Sequence, residues 1–224
     1  MGFSKWASVG VIFCALLVAT AGVADAGSLT ITRYSGYYSG QGGEFSLTIT
    51  DSVLDPSAHS PNPKADFQSF CIERDEYMSS GTYDWSTAAD AGGAGGPSPD
   101  PVSAGTAWLY TQFWTDNWIT GLSYDYTPGA GRSADAGLMQ NAIWALEDEE
   151  PAPTSGTNKY FDAAVSQFGS VALAKADAPA GSRVHVLNIV NGTGDKKQDM
   201  LVMVPLPGAA WAGLLLLGGL GLTR

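Results

Sequence analysis

Positive charge is scarce in this chain. Eleven lysines and arginines stand against 22 aspartates and glutamates, a formal net charge of −11 over 224 residues. With no basic stripe to pair phosphates, the composition argues against a nucleic-acid partner. Histidine is scarcer still, with only His59 and His185. A cysteine hydrolase needs a histidine base, yet His59 sits in a proline-rich loop and His185 on an expected strand. Two histidines and scattered acids show no zinc-ligand spacing, and Asp51 to Asp55 lacks the pattern of a calcium loop. The expectation is no metal and no cofactor. Charged residues make up only 15%, a composition rich in Gly, Ser and Thr that suits an exported surface protein. Cysteine occurs twice, at Cys14 and Cys71, and long apolar runs are confined to the two ends.

The N-terminal run has the grammar of a secretory signal: Lys5, apolar residues from Ala7 to Val23, then the small-x-small pattern Ala24-Asp25-Ala26. A signal peptide over 1–26 is expected, with the mature chain beginning at Gly27. Cys14 leaves with it, so Cys71 becomes the sole cysteine of an exported chain. An oxidising compartment normally favours paired cysteines. The unpaired thiol is then a buried inert group, half of an intermolecular disulfide, a nucleophile, or a cross-link to a partner other than cysteine.

At the other end Val204-Pro205-Leu206-Pro207-Gly208 precedes an apolar stretch from Ala209 to Leu222, and Arg224 closes the chain. That stretch is short against the roughly 20 residues of a free-standing span. The Gly218-Gly219-Leu220-Gly221 run favours close packing by another helix. It reads either as a tail that docks on the domain or as a processing signal. VPLPGAAWAGLLLLGGLGL resembles the PEP-CTERM class of C-terminal sorting signals, in the variant that begins VPLPA, with Gly208 in place of alanine and a lone Arg224 for the basic cluster. The resemblance implies cleavage by an exosortase-type membrane protease in a Gram-negative, exopolysaccharide-making bacterium. It also implies a transient hold on the inner membrane through the C-terminal segment, then a cell-surface or extracellular location. The sorting signal spans 204–224, leaving 27–203 for one domain with its own core.

Along that domain, Ser28 to Arg33 and Glu44 to Thr50 alternate with period two and predict a hairpin joined by the Gly-rich segment 36–43. Ala65 to Glu73 predicts a strand with Phe67, Ser69, Cys71 and Glu73 on one face. Thr82 to Trp85 predicts a short partner, and Thr87 to Gly105 a low-complexity loop. Ser103 is expected to cap an aromatic-rich helix to about Thr115, Ser133 a central helix, and Asn158 a third that stops at Gly169. The acidic end of the central helix, Glu147 to Glu150, opposes the helix dipole and is expected to be solvated. Arg183 to Val190 and Asp199 to Val204 predict a second hairpin. Strands, then helices, then strands give an α+β fold: an antiparallel β-sandwich or sheet with a helical insertion, not a doubly wound parallel one.

The central helix carries the sharpest local pattern. Leu138, Met139, Ala142, Ile143 and Leu146 form an apolar stripe. Gln140 and Trp144, four apart, share a neighbouring face, and Gly137 one turn earlier leaves room above the glutamine. A carboxamide roofed by an indole and cleared by a glycine looks held for something to touch, and Cys71 is the candidate. A thiolate can attack such a carboxamide, expel ammonia and leave an internal thioester, stable while water is excluded.

Phe70-Cys71-Ile72-Glu73 and Met139-Gln140-Asn141-Ala142-Ile143-Trp144 resemble the cysteine and glutamine motifs of bacterial thioester domains of surface adhesins, with Met139 where threonine is common. The resemblance implies a β-sandwich with a helical lobe, a Cys71–Gln140 bond, and covalent capture of an amine, a lysine or polyamine, on a target protein or matrix component. Phe70 and Trp144 are the expected shield, and Glu73 is the candidate base. Such a protein acts once, as a tether rather than an enzyme. The rival reading is a non-covalent structural or exopolysaccharide-associated matrix protein with a buried free cysteine. Trp85, Trp108, Trp114 and Trp118 then become stacking platforms for sugars, although helical spacing around Trp108 favours a core role.

Overall fold

A computed structural model of the chain describes residues 26–40, 42–50, 67–93 and 99–204. The expected signal peptide, His59 with its proline-rich loop, and the sorting segment from Pro205 through Leu206 and Pro207 to Arg224 lie outside the described residues.

Alternation decides the first pairing. In β1 (Ala26–Thr32) Leu29 and Ile31 are buried while Ser28 and Thr30 are exposed. Their partners in β2 (Phe45–Thr50) are Ile49 and Leu47, so the apolar members of both strands share a face. β3 (Phe67–Ser69) pairs with the far side of β2. β4 (Gly81–Ala88) flanks β1 on its other side, followed by β7 (Val184–Val190) and β8 (Met200–Met203). The order is β3-β2-β1-β4-β7-β8, antiparallel throughout. The two edge strands then meet. Cys71 bridges Met200, the Phe70 carbonyl accepts from Leu201 N at 3.1 Å, and Ser69 Oγ donates to the Leu201 carbonyl at 2.6 Å. The sheet is thereby curled nearly into a barrel, and its edges are covered.

Both expected hairpins form, and the architecture is the single-sheet form of the expectation rather than the sandwich. The strand expected over Ala65 to Glu73 ends at Ser69, because the chain changes partner from β2 to β8 at Phe70–Ile72. β4 is twice the expected length and sits between β1 and β7. Within the expected low-complexity loop, β5 (Asp90–Ala91) pairs with β6 (Asp100–Pro101).

All described helices lie between β6 and β7: α1 (Ala104–Thr115), α2 (Ala130–Leu146), α3 (Lys159–Phe168) and α4 (Val171–Ala174). Ser103 caps α1 by accepting from Thr106 N, and Asn158 caps α3 by accepting from Tyr160 N and Phe161 N. α3 stops where Gly169 takes φ 84°. α2 begins three residues before Ser133, with Gly129 at the cap and its N–H donating to the Gly36 carbonyl at 3.0 Å. Starting there puts Arg132 inside the first turn, where it reaches a buried partner on the β1–β2 loop. The aromatic rows of α1 fill the interior. Phe70 meets Phe113 at 5.1 Å between ring centroids, Phe67 meets Trp114 at 5.6 Å, and Tyr110 Oη donates to the Gln68 carbonyl. Trp85 and Trp114 are buried core, whereas Trp108 and Trp118 are partly covered.

The acidic end of α2 is not merely solvated, as its composition suggested. Glu147 accepts from the backbone and hydroxyl of Ser103, placing a carboxylate at the N-terminus of α1, where the dipole favours it. Glu150 pairs with Arg74 at 2.8 Å, Glu149 accepts from Arg74 N, and Asp148 pairs with Lys175. Burial pushes the Glu147 carboxyl up to about 7 against these hydrogen bonds. The folded chain therefore holds this proton more tightly than the unfolded chain between pH 4.5 and 7. The contribution to stability is largest below that window and is lost as pH rises through it. Relative to wild type, Glu147→Gln is expected to gain stability over that window, by at most about 3 kcal/mol, in urea denaturation at a series of pH values. A difference independent of pH would contradict this assignment.

Candidate functional site

Four residues of α2 at successive steps of four, Arg132, Ala136, Gln140 and Trp144, are buried along one stripe of the helix. The segment joining β1 to β2 lies over this stripe, and small residues permit the approach. A Cβ on Gly137 would stand 2.9 Å from Ser39 Oγ. A Cβ on Gly42 would overlap Gln140 Cγ and stand 3.2 Å from the far edge of the Trp144 ring. A Cβ on Gly43 would meet Phe70 Cδ1 at 2.7 Å. The room inferred above Gln140 is thus occupied by backbone at Gly42 and Gly43, while Gly137 admits a serine side chain.

One end of this cover is held by charge. Arg132 and Glu44 are both fully buried. Arg132 Nε donates to Glu44 Oε1 at 2.9 Å and Nη2 to Oε2 at 2.5 Å, Nη1 donates to the Tyr126 carbonyl, and Tyr124 Oη donates to Glu44. The guanidinium also lies 4.0 Å from the Tyr37 ring centroid. Burial raises the Glu44 carboxyl and its hydrogen bonds to Arg132 and Tyr124 oppose the rise.

At the centre the structure brings Gln140 and Cys71 together. Gln140 Oε1 accepts from Gly43 N at 3.0 Å and from Cys71 N at 3.0 Å, while Gln140 Nε2 donates to the Cys71 carbonyl at 2.8 Å. The carboxamide is thus clipped to both backbone groups of the cysteine, across 69 residues of sequence. Two N–H donors on one carbonyl oxygen draw density from the amide carbon and favour charge developing on that oxygen. Cys71 is wholly buried and Gln140 is 1% exposed, so bulk water is kept from both. Phe70 and Trp144 are buried beside Gly43 and Gly42 respectively. Burial pushes the Cys71 thiol well above its ordinary value, and the positive charge of Arg33 opposes that rise.

Glu73 is placed differently from the other predicted residues. It is buried, its carboxyl lies against that of Glu76, and none of its described bonds joins it to Cys71 or Gln140. Its carboxyl fills the space where Gly93 would carry a Cβ. Burial, and then the neighbouring carboxyls of Glu76, Asp199 and Glu149, push its carboxyl up from the ordinary carboxylate range. Val204 ends the described chain, its N–H donating to the Arg183 carbonyl. His185 is half-buried on β7. Among the described residues, no group of three or more His, Cys, Asp or Glu is arranged to hold a metal, and no helix is long and apolar enough to cross a membrane.

Gly42, Gly43, Arg33 and the Glu44–Arg132 pair were not picked out from sequence. The signal was the Gly-rich run ending in an acid, which a hairpin connection explains equally well. Comparison with protein families, curated proteins and solved structures finds no match for the chain.

Two substitutions test this geometry. Arg132→Met strands the Glu44 carboxylate and is expected to cost about 3–5 kcal/mol in urea denaturation, part of which Glu44→Gln restores in the double variant. Gly42→Ala drives a methyl against Gln140 and is expected to cost about 1–3 kcal/mol. A thermal or urea scan in which either variant matches wild type would contradict the packing.

Proposed function

We propose that Cys71 and Gln140 join as an internal thioester, and that the chain is an exported surface protein that uses this bond once to attach itself covalently to an amine. The Cys71 sulfur attacks Cδ of Gln140, the carbon–nitrogen bond breaks, and the thiol proton leaves with the nitrogen as ammonia. The acyl group then resides on sulfur. A primary amine, a lysine or polyamine on a protein or matrix component, takes that acyl group as a permanent amide and returns the thiol. The observation that carries this reading is the Gln140 carboxamide itself, hydrogen-bonded to both backbone groups of Cys71 and to Gly43 N within a site sealed from water. Phe70 and Trp144 are the shield in this reading.

The rest of the proposal comes from the ends of the sequence. A leader over 1–26 exports the chain, and VPLPG with its apolar tail is processed by an exosortase-type protease. The product is an adhesive protein of the cell surface or extracellular matrix of a Gram-negative bacterium. A resemblance to thioester domains and to PEP-CTERM signals supports both parts.

One observation favours a second reading. Gln140 already has both acceptor sites and one donor satisfied, as a permanent structural amide would. The protein is then a non-covalent matrix component with an inert thiol. Intact-protein mass spectrometry separates the two. The thioester predicts a mass about 17 Da below that of the mature chain, and methylamine converts it to an adduct with one titratable thiol. Cys71→Ala and Gln140→Ala are each expected to show the full mass calculated for their sequence and to ignore methylamine. Full mass with a free thiol before any treatment would assign the protein to the second reading.

A further inference from the structure

We infer that Arg33 is a positioning residue for the Cys71–Gln140 reaction, acting through the Gly42–Gly43 peptide that it holds against the Gln140 carbonyl oxygen. The inference rests on the thioester reading and adds to it the group that sets up its oxyanion site.

Attack on Cδ of Gln140 turns the carbonyl oxygen into an oxyanion, first when the bond forms and again when an amine opens it. That oxygen is Oε1, which already sits between Gly43 N and Cys71 N, each at 3.0 Å. Donors placed in advance on the oxygen that gains charge are the largest single source of stabilisation in acyl transfer. Cys71 N is fixed by the closure of the sheet, where Cys71 bridges Met200. Gly43 N lies outside the sheet, although the peptide after it is tied down, with the Gly43 carbonyl accepting from Ser39 N at 3.2 Å and Glu44 N donating to the Tyr37 carbonyl at 3.3 Å. Gly43 N belongs to a glycine-rich connection, and its direction is set by what holds the peptide preceding it.

Arg33 holds that peptide. Its Nη2 donates to the Gly42 carbonyl at 2.9 Å and to the Gly40 carbonyl at 2.6 Å. The Gly42–Gly43 peptide is trans, so its carbonyl and its N–H point in opposite directions. A guanidinium drawing the Gly42 oxygen one way aims the Gly43 N–H the other way, at Oε1. The charge-assisted bond to the carbonyl also polarises the peptide and strengthens its N–H as a donor. The guanidinium is itself located by stacking, 4.0 Å from the Tyr38 ring centroid and 5.1 Å from that of Phe45. Its charge is felt at the reacting sulfur as well, where it offsets part of the effect of burial on the thiol. Arg33 touches neither reacting atom, so its effect is on the geometry and strength of the Gly43 donor.

The test follows bond formation after refolding, as the loss of about 17 Da with time, and the rate at which methylamine opens the bond, in wild type, Arg33→Lys and Arg33→Gln. Deleting an oxyanion donor outright costs about 10²–10³ in rate, and loosening one is expected to cost about tenfold or more. The expected order for both rates is wild type, then Arg33→Lys, then Arg33→Gln, with native circular dichroism. Lysine keeps the charge but lacks the flat guanidinium whose stacking on Tyr38 fixes the nitrogen that donates to both carbonyls. The thioester carbonyl stretch, read by isotope-edited infrared spectroscopy, should move to higher frequency in Arg33→Gln as the Gly43 bond weakens. If Arg33→Gln does not fold, Arg33→Lys decides alone: slower rates at an unchanged melting temperature support the assignment. A folded variant that forms and opens the bond at wild-type rates overturns it. A wild-type protein that never loses ammonia removes instead the reading on which the inference stands.

Discussion

The approach of the β1–β2 connection to the buried stripe of α2 is the contact on which the site depends. A helix stripe made of Arg132, Ala136, Gln140 and Trp144 is too polar to bury unaided, since an unpaired carboxamide or guanidinium inside costs several kcal/mol. The connection supplies a partner at each level: Glu44 for Arg132, Ser39 above Gly137, the Gly43 N–H for Gln140, and the bare Gly42 backbone beneath Trp144. The contacts at Gly42 and Gly43 bring backbone directly against the side chains of Gln140 and Trp144. That explains the glycines better than turn chemistry does.

The second constraint is the seam of the sheet. Segment 70–72 leaves β2 and takes up β8, so its backbone is only partly used by strand pairing. The remaining N–H and C=O of Cys71 face inward, and a side chain must satisfy them. Gln140, with an acceptor and a donor on one planar group, is the residue type that can do so in a single contact. The same contact brings an electrophilic carbon to the cysteine. A structural need at the point of closure is thus met by the side chain to which the proposed chemistry is assigned.

The buried Glu44–Arg132 pair illustrates how such a site is kept in register. Two charges withdrawn from water gain little net stability even when well paired, but losing either partner is costly. In this chain they fasten the end of the glycine-rich connection to the first turn of the helix that carries Gln140. Tyr124, Tyr126 and Tyr37 complete the coordination of both charges. A connection without side chains at Gly42 and Gly43 is held through its backbone, by Arg33 on the Gly42 carbonyl and Ser39 N on the Gly43 carbonyl, and by the paired Glu44 that follows.

Much of this was readable without coordinates. Period-two alternation located β1, β2, β7 and β8, capping residues located α1 and α3, and spacing on α2 singled out Gln140 and Trp144. These are local properties, dictated by which side chains share a face and which can cap a helix end. The partner change at Phe70, the long central β4 and the start of α2 at Ala130 were not readable, since each is decided by a strand or loop far away in sequence. Nor could sequence tell that Arg132 points inward, because it reads as a loop residue before the Ser133 cap and its carboxylate partner lies 88 residues away. The order of the elements and the residue types at the site were thus determined by the sequence alone. Which atoms of Cys71 meet Gln140, and that Gly43 and Arg33 stand behind the contact, were decided only by folding, because hydrogen bonds across 69 and 97 residues leave no local trace.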